Sequence, residues 1–130
     1  MGEIRNAQII DASIYTPNGN YLTFKVTIKS NEHICDVGHY DLGGVTEGID
    51  PNVQIHPKAV LCIAKIMQIA GVTRWEDLKG KYIRYEDNGI NCSIERIGHI
   101  IDDAWFDIYR EMGSSSFTAD PDAYIRPIND

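Results

Sequence analysis

The stretch Pro57-Lys58-Ala59-Val60-Leu61-Cys62-Ile63-Ala64-Lys65-Ile66-Met67-Gln68-Ile69-Ala70-Gly71 decides the fold. Pro57 suits the first position of a helix, because its missing N–H would have no intrahelical partner there. Gly71 suits the position just past the end, where the chain turns into the left-handed region. Between them Val60, Ile63, Ala64, Met67 and Ala70 share one face. Leu61, Ile66 and Ile69 widen it, and Lys58, Lys65 and Gln68 form the polar stripe. A helix this apolar is expected to pack on a sheet, or on a sheet and a partner chain.

Outward from the helix the period changes from 3.6 to 2. In residues 21–29, Leu22, Phe24, Val26 and Ile28 alternate with Thr23, Lys25, Thr27 and Lys29, the pattern of a half-buried antiparallel strand. Residues 3–15, with Ile10, Ala12 and Ile14 in alternation, predict a first strand, joined to it through a turn at Pro17-Asn18-Gly19-Asn20. Residues 33–40 predict a third. Residues 41–56 carry Gly43-Gly44, Gly48 and Pro51 with no period and read as a loop. Beyond the helix, Thr73-Arg74-Trp75-Glu76 has the form of a capping box, predicting a short helix over 74–78 that ends at Gly80. Residues 81–87 and 90–97 predict a hairpin about Asn88-Gly89, with Ile83 and Tyr85 on one face and Tyr82 and Arg84 on the other. A short extended segment at 99–106 and a helical turn at 106–112 follow. The expectation is an α+β domain over 1–112: an antiparallel sheet of about five to six strands on one main helix. An extended tail, 113–130, bears Phe117, Tyr124 and Ile125 and is expected to dock on the domain or on a second subunit.

The chain has 130 residues and a net charge of -7, placed unevenly. Residues 1–56 hold three basic and seven acidic groups, residues 57–100 seven and five, and residues 101–130 two and seven. A mildly basic centre thus lies between acidic flanks. The balance argues against a partner as long as a nucleic acid, which calls for a basic footprint, while leaving a small anionic ligand open. No apolar run is long enough for a membrane span. The start Met1-Gly2-Glu3-Ile4-Arg5 lacks the apolar core of a secretion signal, so a cytosolic protein is expected.

Chemistry-bearing residues were weighed in groups. Cys35, Cys62 and Cys92 are odd in number and far apart, which predicts buried thiols rather than a disulfide framework. His33, Cys35 and His39 fall on one face of a strand, but the four compact ligands of a closed zinc site are missing, so no metal or other cofactor is expected. No nucleophile–base pair or phosphate-loop motif stands out, and a binding protein rather than an enzyme is the expectation. The group that does stand out is Arg74, Trp75, Tyr82, Arg84, Asn91 and Arg96, with Arg110 and Arg126 further on. Aromatic faces stack on bases, guanidinium groups grip phosphate, and Asn reads amide or hydroxyl edges.

The strings Ile4-Arg5-Asn6-Ala7-Gln8-Ile9, Gly71-Val72-Thr73-Arg74-Trp75-Glu76-Asp77-Leu78-Lys79-Gly80-Lys81-Tyr82-Ile83-Arg84, and Ile97-Gly98-His99-Ile100 with Asp103-Ala104-Trp105-Phe106 carry a resemblance. In that order, over residues 3–106, the chain resembles the Thoeris anti-defence sponge proteins of phages and prophages. Gly38-His39-Tyr40-Asp41-Leu42 stands where that family often has Gly-Gly-Tyr-x-Leu. The resemblance implies a phage protein of the host cytoplasm that binds and sequesters a cyclic ADP-ribose isomer made by bacterial TIR-domain enzymes, without cleaving it. It also implies a homo-oligomer built from dimers, with ligand at subunit interfaces, and in some members a separate site for cyclic oligonucleotides. An aromatic residue, an Asn and several Arg around the ligand are implied; the candidates here are Tyr82, Asn91, Arg84, Arg96, Arg110 and Arg126, beside Trp75 from the residue grouping. Two other classes stay open: a phage inhibitor that binds a host enzyme through its acidic flanks, and a small hydrolase or metal protein.

Overall fold

In the computed structural model the described residues are 3–17, 19, 21–31, 33–45, 53–87, 94, 96–108 and 110. They form an α+β fold: one antiparallel sheet and one main helix. The strands are β1 (Glu3–Tyr15), β2 (Tyr21–Lys29), β3 (Ile34–Gly38), β4 (Gly43–Val45), β5 (Val53–Ile55), β6 (Tyr82–Asp87), β7 (Arg96–His99) and β8 (Trp105–Asp107). The helix α1 spans Pro57–Ala70. Strand order is β5-β4-β2-β1-β6-β7-β8, with β3 also paired to β2. The eight strands exceed the five to six expected, because β4 and β5 lie in the segment 41–56 that reads as loop. A three-residue strand is too short to show a period. The predicted tail lies outside the described residues.

The helix begins and ends where its sequence dictates. Pro57 follows the extended residue His56, and Gly71 at φ 77° closes the helix with its N–H on the Gln68 carbonyl oxygen. The buried face differs from the expected one. Ala59, Cys62, Ile66 and Ile69 are buried, while Val60 and Leu61 are exposed, Leu61 by 61%. Two apolar stripes run along this helix, and the sheet covers one of them.

The core lies between α1 and the inner sheet face. Ala7 and Ile9 of β1, Phe24, Val26 and Ile28 of β2, Val37 of β3, Ile83 and Tyr85 of β6, Ile97 of β7 and Phe106 of β8 meet the helix residues there. An irregularity between Ile9 and Asp11 shifts the β1–β2 register. It moves the inward frame from Ala7 and Ile9 to Ala12, which is why Ile10, Ala12 and Ile14 do not form one buried row. In β2 the alternation also fails at one end. Leu22 is exposed and Thr23 is buried, its hydroxyl donating to the Tyr40 carbonyl oxygen at 2.7 Å.

Two further expectations are corrected. The segment after α1 makes a single 3-10 turn, Trp75–Asp77, and no side chain caps it. Glu76 instead meets Arg74 at 2.9 Å, so the capping box does not form. In the hairpin, Ile83 lies opposite His99, whereas a two-residue turn at Asn88-Gly89 would place it opposite Ile94. The second strand begins at Arg96, and residues 88–93 and 95 are outside the described set.

Candidate functional site: an arginine–tryptophan–arginine cluster on the open sheet face

Strand alternation sorts β6, β7 and β8 onto two faces. Ile83, Tyr85, Ile97 and Phe106 point to the core, so Tyr82, Arg84, Arg96, Gly98 and Trp105 share the other face. Arg84 pairs with Gly98, and Gly98 with Trp105, in one row across three strands. Gly98 makes that row possible. A Cβ placed on it would lie 2.6 Å from the Trp105 ring, so only glycine lets the indole cross the strand.

The indole carries a cation at either neighbour. The guanidinium of Arg84 lies 4.9 Å from the ring centroid and that of Arg96 lies 4.8 Å from it, both within cation–π range. Each Arg is held by other groups too. Arg84 donates through Nε to the His99 carbonyl oxygen at 2.7 Å and through Nη2 to that of Asp102 at 2.8 Å. Those carbonyls belong to the β7–β8 turn, which His99 fixes by accepting the Ile101 and Asp102 N–H groups at Nδ1. Arg96 faces Glu86 at 3.7 Å. The Trp105 N–H donates to Asp103 at 3.2 Å. A guanidinium has five N–H donors, so Arg84 keeps three beyond the two used on the turn. Tyr82, 55% exposed, lies two residues along β6 on the same face.

The residues predicted from sequence divide accordingly. Tyr82, Arg84 and Arg96 come together on the open face. Trp75 does not join them: it packs against the core, edge-on to Phe24 at 6.0 Å and 89°. Its indole N–H is buried and has no hydrogen-bond partner among the described residues. Arg110, exposed, lies just beyond β8, its backbone N–H on Asp107 at 2.9 Å. Asn91 and Arg126 are outside the described residues. Trp105 is the site residue that sequence reasoning missed. The available signal was Gly98, a glycine in a short strand, which marks a close approach by some other group.

The histidines do not gather. His33 meets the Tyr85 hydroxyl at 3.4 Å. His39, at a φ of 68°, meets Tyr15 at 3.3 Å and Asp36 at 3.4 Å. Cys35 is buried between these positions in β3, and Cys62 is buried in α1. Among the described residues no three His, Cys, Asp or Glu side chains form a group that could hold a metal ion. His56 and Asp41 are buried together, 3.7 Å apart. Burial raises the Asp41 carboxyl above its ordinary range, against the lowering effects of the Gly43 N–H and of His56. The pair ties the segment before β4 to the start of α1, away from the open face.

No helix among the described residues is long and apolar enough to cross a membrane. No protein-family model, curated protein or solved structure matches the chain.

Proposed function

We propose that the chain binds a small phosphorylated nucleotide on the open face of β6, β7 and β8 and sequesters it without cleaving it. The ligand on this reading is a cyclic ADP-ribose-type immune signal, and the protein is a phage anti-defence protein acting in the host cytoplasm. The observation that carries the reading is the pairing of Arg84 and Arg96 about Trp105. Guanidinium groups supply phosphate contacts. Trp105 and Tyr82 supply flat apolar surface for a base. Sequestration needs affinity alone, and this cluster offers affinity with no nucleophile beside it.

One sheet face gives one wall of a pocket. A homo-oligomer built from dimers would supply the second wall, exclude water and slow release. The exposed Val60 and Leu61 of α1 favour a protein contact somewhere on this chain. They also support the second reading, a phage inhibitor that binds a host enzyme directly.

The test is retention. Purified protein at micromolar concentration should remove cyclic ADP-ribose isomers from solution and return them intact after heating. Recovery of ADP-ribose instead would mean an enzyme. No retention, together with a stoichiometric host protein in pull-downs, would favour the second reading.

A further inference from the structure

We infer that Asn6 and Gln8 of β1 read the edge of an adenine base and set the specificity of the open face, an inference that rests on the nucleotide reading above. The β1–β6 register places Asn6 directly opposite Arg84 and Gln8 directly opposite Tyr82. Ala7 and Ile9 turn to the core, so the two amides share the face of Tyr82 and Arg84. Cα atoms across an antiparallel pair are about 5 Å apart, and residues two apart along a strand about 7 Å. Gln8, Asn6, Arg84 and Tyr82 therefore mark the corners of a patch about the size of a base.

Their chemistry is complementary. The Asn6 amide is exposed and makes no hydrogen bond to a described residue. Gln8 donates through Nε2 to the Gly80 carbonyl oxygen at 3.3 Å, which orients the amide and leaves Oε1 as an acceptor. Asn is disfavoured in strand interiors, and two neighbouring amides contribute neither charge nor core packing here. A carboxamide offers a donor and an acceptor side by side, the complement of the amino group and ring nitrogen on an adenine edge. A base with oxygen at that position presents acceptors only and loses the match. With the base on the Tyr82 ring, its edge meets β1 while the phosphates meet Arg84 and Arg96.

Calorimetric titration with AMP and IMP tests this, since the two differ only in the amino group replaced by oxygen, with the ring proton that follows it. Wild-type protein should bind AMP about tenfold more tightly than IMP. Asn6→Ala combined with Gln8→Ala should bring AMP down to the IMP level and leave IMP unchanged. Arg84→Ala should weaken both alike. Equal affinities in the wild-type protein, or a preference that survives in the double variant, would overturn the inference while leaving the phosphate site standing. Binding of neither nucleotide would overturn both.

Discussion

The two tryptophans of this chain occupy opposite faces of one sheet, and their neighbours differ accordingly. Trp75 lies against Phe24 on the core side, with its N–H buried and unpartnered among the described residues. Trp105 lies across Gly98 on the open side, with its N–H on Asp103 and guanidinium groups at its ring. Residue type alone does not separate a core lid from a binding surface. The frame of strand alternation and the charge of the neighbours do. An indole inside the core adds packing, whereas one among cations on an open face adds a recognition surface that the fold does not require.

The comparison can be broken first at Trp75. Trp75→Ala should cost about 3 kcal/mol of stability, as aromatic truncations against a core do, and leave nucleotide affinity within about twofold. Chemical denaturation alongside titration checks both. A loss of binding with unchanged stability would reverse the assignment. Trp75→Phe should cost less than truncation, because it also removes the unpartnered donor, whose burial is unfavourable by about 1–3 kcal/mol.

Gly98→Ala comes next. The added methyl meets the indole, and displacing it should cost about 1–3 kcal/mol and weaken nucleotide binding about tenfold or more. Arg84→Ala and Arg96→Ala should lower stability by about 1 kcal/mol or less, since exposed cation–π contacts contribute about 0.5–1 kcal/mol each. Anion binding should fall far more, and the wild-type affinity should fall as salt rises. Equal losses of melting temperature and affinity would make both Arg structural.

The smallest effect concerns the core side alone. Burial raises the Tyr85 hydroxyl pKa, with the Ser30 hydrogen bond opposing. Its folded value therefore lies above the unfolded value of about 10. This contribution is complete below about pH 10 and is lost as pH rises through the folded value. Tyr85→Phe should flatten the alkaline loss of stability, measured by denaturation between pH 9 and 11, without altering affinity at neutral pH. An unchanged alkaline slope would contradict the assignment.

Most of the architecture was legible in residues with long, unbroken patterns. Pro57 and Gly71 mark the helix ends because each has a conformational reason to be there. The period in residues 21–29 marks β2. What was not legible depends on short or interrupted patterns. The irregularity after Ile9 shifts the inward frame by one residue, and β4 and β5 hold three residues each. The buried helix stripe centres on Ala59 and Cys62 rather than Val60 and Ile63, because a helix apolar on two sides does not say which side the sheet will take. In the site, Tyr82, Arg84 and Arg96 were readable as a group. Trp105 was not, because only the β7–β8 pairing brings it over Gly98 and between the two Arg.

The account's central claim is that Trp105, held between Arg84 and Arg96, is a ligand surface rather than a structural contact. The most direct test is the affinity of Trp105→Ala for a cyclic ADP-ribose isomer, measured beside its melting temperature. The account predicts affinity reduced at least tenfold, in line with the stacking contribution of one base, with stability lowered by about 1 kcal/mol or less. Wild-type affinity in Trp105→Ala, or a fall in melting temperature that alone explains the loss of binding, would contradict it.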